Sequence, residues 1–301
     1  MAEHIVPAEL DDERADKVVA VLGEMSRSEA RRLVDSGEVR LGGAPVAAKD
    51  RITAGSVLGF EAPEQRSVLR PEPIEFAVRY EDPHLAVVDK PAGLAVHPGA
   101  GRTDGTLASG LLYRYPEIEG VGEDLRWGIV HRLDRDTSGL LVVARTTEAF
   151  RGLSTMIRGR QVHRGYLALV DGLFDAPRGT IDAPIAPDPN RPKRRIVSPY
   201  GKPSRSHFRR VAGWDGTSVS LLEVTLETGR THQIRVHLAA IEHPVIGDRW
   251  YGKPTRVDAP RVFLHAAELR FTHPITQEEI AVESELPADL RAVVDGLGDA
   301  T

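Results

Sequence analysis

The chain has 301 residues, of which 41% are hydrophobic and 28% charged, with no cysteine and a formal charge of −5. That profile fits a globular protein with room for one large and one small domain, and it excludes disulfides, thiolate nucleophiles and cysteine-held zinc. No apolar run approaches the ~18–20 residues of a membrane span. The opening Met1-Ala2-Glu3-His4 lacks the basic and apolar regions of a signal peptide, so the cytoplasm is the expected location.

In chain order, residues 1–66 read as a small unit. Val18, Val19 and Leu22 have helical spacing within Arg14 to Leu22, and Ser26-Arg27-Ser28 can cap a second helix through Asp35, closed by Gly37. Val39-Arg40-Leu41 before Gly42-Gly43 predicts a short strand and tight turn. Glu61 to Pro73, with prolines at 63, 71 and 73 among charges, reads as a connection. The expected division is a small domain over 1–66, a linker over 67–73 and a larger domain over 74–301. In the larger domain the clearest strands are 85–88, 140–144, 166–170 and 219–226. Helices are expected over 147–157 and 231–241, where Ile234, Leu238 and Ile241 share one face. Strands outnumber helices without regular alternation, which predicts an α+β class.

One segment stands apart from this pattern. His131-Arg132-Leu133-Asp134-Arg135-Asp136-Thr137-Ser138-Gly139 is polar and charged where the chain enters the apolar run Leu140 to Ala144. Charge beside a core costs several kcal/mol unless compensated, so the segment calls for a function. Its surroundings are basic: residues 131–210 hold 16 Lys/Arg against 7 Asp/Glu, a net +9 that leaves −14 for the rest of the chain. Such a patch suits phosphate binding.

A hydrolase pairing Asp134 with Asp136 would need both side chains to point the same way, which two-residue spacing allows only on a strand. Asp136 reads instead as a turn or cap residue, with Thr137 and Ser138 bracing the loop. A metal enzyme is disfavoured because His163 lies in a different segment from His232 and His237 and no H-E-x-x-H occurs. A non-catalytic RNA-binding or ribosome-assembly protein explains the basic patch but leaves Asp134 without a purpose. Neither G-x-G-x-x-G nor a P-loop is present, so no nucleotide cofactor is expected.

The nine-residue segment resembles the signature of the RluA-type pseudouridine synthases, which turn uridine into pseudouridine in structured RNA. Further segments follow in that family's order: Leu85 to Gly93, Val96-His97-Pro98-Gly99, Arg164-Gly165-Tyr166, Gly201-Lys202-Pro203 and Thr228 to His237. Residues 14–17, 26–31 and 37–43 are similar to the small α/β RNA-binding domain of the ribosomal-protein-S-four type. The resemblance implies a mixed, mostly antiparallel sheet in the catalytic domain. It also implies an isomerisation that needs no cofactor and no metal, only an ionised carboxylate near the sugar and base. That carboxylate would attack the sugar or remove a ribose proton, and the residues fit both routes.

By the same resemblance Asp134 is the catalytic carboxylate and Arg235 its partner, with Arg230 as fallback; a nearby Arg favours the charged form. Tyr166 would pack on the target base. Arg132 would fill the stack vacated when the base is extruded, or hold a phosphate. His131 would contact RNA or brace the loop, and Arg164 is the basic residue of the tyrosine motif. Lys90-Pro91 would set a strand-to-loop geometry, with Lys90 also meeting RNA. Arg27, Arg31 and Arg32 on the small domain, and Arg191 and Lys193 in the basic loop Asn190 to Arg195, would face phosphates. The implied partner is large-subunit ribosomal RNA, with transfer RNA as the alternative, bound by a monomer.

Overall fold

The chain folds around separate hydrophobic cores in two units, Met1–Arg66 and Ser67–Thr301. The computed structural model describes residues 2–23, 25, 27–61, 69–99, 104–123 and 125–300. The expected cap at Ser26 and the linker residues Ser67 and Val68 lie outside the described residues.

The first unit runs β1 (Ala2–Ile5), β2 (Glu13–Arg14), α1 (Ala15–Leu22), α2 (Arg27–Asp35), β3 (Arg40–Leu41), β4 (Ala44–Pro45), β5 (Arg51–Ile52) and β6 (Val57–Phe60). Its sheet has the order β1-β6-β3-β4. Val18 and Val19 of α1 and Ala30 and Val34 of α2 are buried against Leu58 and Phe60. Positive φ at Gly42 and Gly43 makes the tight β3–β4 turn, a conformation that favours glycine.

The second unit runs β7 (Ala77–Glu81), β8 (Leu85–Lys90), α3 (Leu107–Arg114), β9 (Ser138–Ala144), α4 (Thr147–Arg158), β10 (His163–Asp171), β11 (Arg178–Asp182), β12 (Ile185–Pro187), β13 (Arg195–Val197), β14 (Arg205–Trp214), β15 (Val219–Leu226), α5 (Gln233–Ala240), β16 (Leu264–Thr272), β17 (Glu279–Glu283) and α6 (Ala288–Asp295). A nine-stranded sheet has the order β11-β14-β15-β10-β16-β9-β8-β7, with β17 beside β16. Every pairing is antiparallel except β9 with β16. β9 is buried at all seven positions, which is why it reads as a continuous apolar run rather than an alternating one.

The parallel contact sets the exit of the charged segment. Gly139 pairs with Ala266 at φ 113°, and a Cβ there would lie 2.2 Å from the Ala266 carbonyl oxygen. Only glycine fits that approach. The helix expected from residue 231 begins two residues later, at Gln233. His232 stands before it in the left-handed region (φ 58°, ψ 20°), which ends helical geometry on the N-terminal side.

Candidate active site

The segment before β9 is held from several sides. Thr137 donates its backbone N–H to the Asp134 carbonyl, closing a turn, and Leu133 is buried in the core. The Arg135 carbonyl accepts from the Gly93 N–H and from Lys90 Nζ. Arg261 donates to the Asp136 carbonyl and to Ser138 Oγ. The His131 ring accepts from the Val142 N–H through Nε2 at 3.1 Å. Burial first, and then the Arg164 charge, push this ring down to about 3, so it is neutral at physiological pH.

This bracing aims the Asp134 carboxylate at α5. Arg235 Nη1 donates to Asp134 Oδ2 at 3.0 Å, while its Nε and Nη2 donate to the two Asp248 oxygens at 2.7 and 2.8 Å. The latter is the two-bond fork that suits a guanidinium and a carboxylate. The Arg235 guanidinium also lies 5.2 Å from the centre of the Tyr251 ring and 5.8 Å from that of Trp250. Burial acts to raise Asp248, but the bonds from Arg235 and from the Trp250 and Tyr251 N–H groups outweigh it and lower its pKa. Burial likewise acts to lower Arg235, and Asp248 with Asp134 more than offsets it. His232 Nε2 stands 4.0 Å from Asp134 Oδ1, and Nδ1 is 2.9 Å from the Tyr251 hydroxyl.

Gln233 locks the turn that opens α5. Its Oε1 accepts from Thr228 Oγ1 and the Arg230 N–H, and its Nε2 donates to the Arg205 carbonyl and Ser206 Oγ. The result is a pocket of about 480 Å³, counting its open mouth, lined by Asp134, Tyr166, Arg235, His232, Arg132 and Arg164 among others. It presents a carboxylate, an aromatic ring and cations to whatever enters. Burial raises the Tyr166 phenol above its ordinary value, so it is an uncharged platform at physiological pH.

A family model described as RNA pseudouridylate synthase matches residues 84–240, and one described as S4 domain matches residues 13–58. Ribosomal large subunit pseudouridine synthase D of Xylella fastidiosa is 41% identical over 300 residues, covering 95% of this chain and 89% of that protein. The protein of the same name from Pseudomonas aeruginosa is 40% identical over 299 residues, covering 94% and 92%. The chain belongs to the RNA pseudouridylate synthase family. Human RNA Pseudouridylate Synthase Domain Containing 1 shares the fold with a TM-score of 0.57 at 27% identity, covering 75% of this chain and 96% of that one. The mixed, mostly antiparallel sheet and the amino-terminal S4 domain are as the resemblance implied.

Within this pseudouridylate synthase, the residues singled out from sequence fall into three groups. Asp134, Tyr166, Arg235, Arg132, Arg164 and Arg230 line one pocket. Arg230 is exposed and donates to the Pro203 carbonyl, so the fallback pairing with Asp134 is not made. Arg132 is exposed and contacts His97 Nε2 at 3.2 Å.

Two residues expected to meet RNA are turned inward. Lys90 is fully buried and donates to the Pro91, Leu94 and Arg135 carbonyls at 2.8–3.0 Å, so its cation is consumed within the protein. Burial pushes it down to about 7, with the Asp136 and Asp134 charges acting to raise it. His131 has its Nδ1 enclosed and braces the loop against β9 rather than facing RNA.

The remaining residues lie away from the pocket lining. Arg191 and Lys193 are exposed between β12 and β13, where Arg195 N–H donates to the Tyr251 hydroxyl and ties this hairpin to the site. Arg27, Arg31 and Arg32 are exposed on α2, with Arg27 donating to Asp16 at 3.0 Å. Sequence reading missed Asp248, Trp250 and Tyr251. The available signal was an acid followed closely by two aromatics between glycines, Gly247-Asp248-Arg249-Trp250-Tyr251-Gly252.

Proposed function

We propose that this enzyme isomerises uridines of large-subunit ribosomal RNA to pseudouridine, acting in the cytoplasm as a monomer, with Asp134 as the catalytic carboxylate. The observation that carries the assignment is the 3.0 Å bond from Arg235 to Asp134 in a pocket that Tyr166 also lines. The substrate class rests on the Xylella and Pseudomonas relatives and on the amino-terminal S4 domain. In the reaction the bond from ribose C1′ to uracil N1 breaks and one from C1′ to C5 forms. The C5 proton departs and N1 gains one, so nothing is oxidised and no group is delivered from outside.

Asp134 begins this either by attacking C1′ or by taking a ribose proton. Arg235, fixed by Asp248, holds the carboxylate in position. Tyr166 packs on the extruded base, and Arg132 compensates the stack that the base leaves, a cost of a few kcal/mol. Arg164 and Arg230 at the pocket, Arg191 and Lys193 on the hairpin, and Arg27, Arg31 and Arg32 on the small unit supply phosphate contacts.

The test is pseudouridine mapping of ribosomal and transfer RNA from cells lacking the protein, rescued with wild type or Asp134→Asn. Large-subunit sites lost on deletion and restored by wild type alone are expected. Restoration by Asp134→Asn would refute the mechanism, and loss confined to transfer RNA would refute the substrate.

A further inference from the structure

Beside the catalytic pocket runs a second, larger groove of about 1400 Å³, counting its open side. The two share Arg132, Arg164, Gly229 and Arg230 in their linings, so they meet along one wall. Six arginines and two glutamates line the groove. Arg126, Arg158 and Arg160 belong to the groove and not to the pocket, and all three are exposed.

Arg164 stands where the two cavities meet. It is only 5% exposed, its Nε has no hydrogen-bond partner, and Nη2 makes one long bond of 3.4 Å to the Leu226 carbonyl. No carboxylate lies within ion-pair distance of it among the described residues. A buried cation without a counter-charge costs several kcal/mol, and a guanidinium with open donors is matched by a phosphate oxygen. The wall facing it is Gly229, where a Cβ would sit 3.0 Å from Arg164 Nη1. The absence of a side chain there leaves the guanidinium uncrowded.

Arg160 adds an independent sign. It stands two residues past the end of α4 with a φ of 59°, the left-handed conformation that usually takes Gly or Asn just beyond a helix. A local rule broken at a cost of about 1 kcal/mol points to a side chain needed at that spot. Its ion pair with Glu227, itself on the groove wall, keeps the guanidinium at the groove.

We infer that the RNA strand flanking the target uridine leaves the catalytic pocket past Arg164 and follows this groove, its phosphodiesters held by Arg164, Arg158, Arg160 and Arg126. The inference rests on the RNA-modifying function proposed for the pocket and assigns the direction in which the strand runs.

The test uses the full-length enzyme and a transcript of large-subunit ribosomal RNA carrying tritium at uridine C5, which is released as the new bond forms. Arg158→Ala/Arg160→Ala should lower kcat/KM about tenfold through KM, and flatten the plot of log affinity against log salt by about 2, one for each phosphate no longer neutralised. Should the double variant melt earlier than wild type, Arg126→Ala alone carries the same expectation with a slope change of about 1. Wild-type kcat/KM and salt slope in the variants, with the parent enzyme active, would overturn the groove assignment alone. A fall in kcat at unchanged KM would do the same. A parent enzyme that neither binds the transcript nor releases tritium would overturn the functional reading and the groove with it.

Discussion

The floor and the rim of the pocket are both rich in charge, yet they are built in opposite ways. On the floor and in the loop support behind it each ion has its protein partners: Asp134 and Asp248 on Arg235, and three carbonyls on Lys90. At the rim, Arg132 has one neutral histidine, Arg230 one carbonyl and Arg164 one long bond. Satisfied buried charges are rigid and fix geometry, whereas unsatisfied ones keep affinity in reserve for a ligand. The contrast implies that floor substitutions act on chemistry or folding, and rim substitutions on RNA affinity.

The sharpest test of that contrast is Asp134→Asn. It should leave the melting temperature near wild type and lower turnover by about 10⁴-fold or more, the scale of losing an essential group; single-turnover tritium release measures it. Asp248→Asn comes next. Stripping one carboxylate from a buried guanidinium should cost about 3–5 kcal/mol in urea denaturation and misplace Arg235 as well. A fully stable variant with normal turnover would break the claim that the floor is a single unit. Lys90→Met should cost about 3 kcal/mol, because carbonyls left unsatisfied cost about 1–3 kcal/mol each. Unchanged RNA affinity in that variant would separate Lys90 from the rim.

Acid supplies a fourth test. Folded His131 stays neutral down to about 3, while in the unfolded chain the ring takes a proton below its ordinary 6.5. Its contribution is therefore present above pH 6.5 and is lost as pH falls toward 3. Stability should drop by about 2 kcal/mol between pH 7.5 and 5 from this group alone. The buried His237 and His265, also lowered by burial, add in the same direction. Equal urea midpoints at the two pH values would contradict the enclosed, neutral ring. The smallest effect is expected at the rim: Arg132→Ala should weaken RNA binding by about 1–2 kcal/mol, more at low salt, with stability unchanged. Titrating salt in a fluorescence binding assay measures it.

How much of this was legible in the chain follows the same division. Strands with strong apolar runs, such as β9 and β15, and the amphipathic α4 emerged near their observed bounds, because local periodicity decides them. The charged segment ending in Gly139 singled out Asp134, since polar residues at the mouth of a buried strand are conspicuous. Asp248 was not legible, because its bond to Arg235 joins two segments that no local pattern links. The RNA contact expected of Lys90 was a misreading for a related reason: a lysine looks alike in sequence whether solvent or three carbonyls surround it. The parallel β9–β16 contact and the left-handed His232 ahead of α5 are likewise tertiary outcomes, set by packing rather than by propensity.

The enclosure of Lys90 also makes it a clock. An amine-reactive reagent can reach its Nζ only when the three carbonyl bonds open, and one of those carbonyls belongs to Arg135, next to Asp134. Acylation of Lys90, followed by mass spectrometry against the exposed Lys49, therefore times the native-state opening of the catalytic loop without mutation or label.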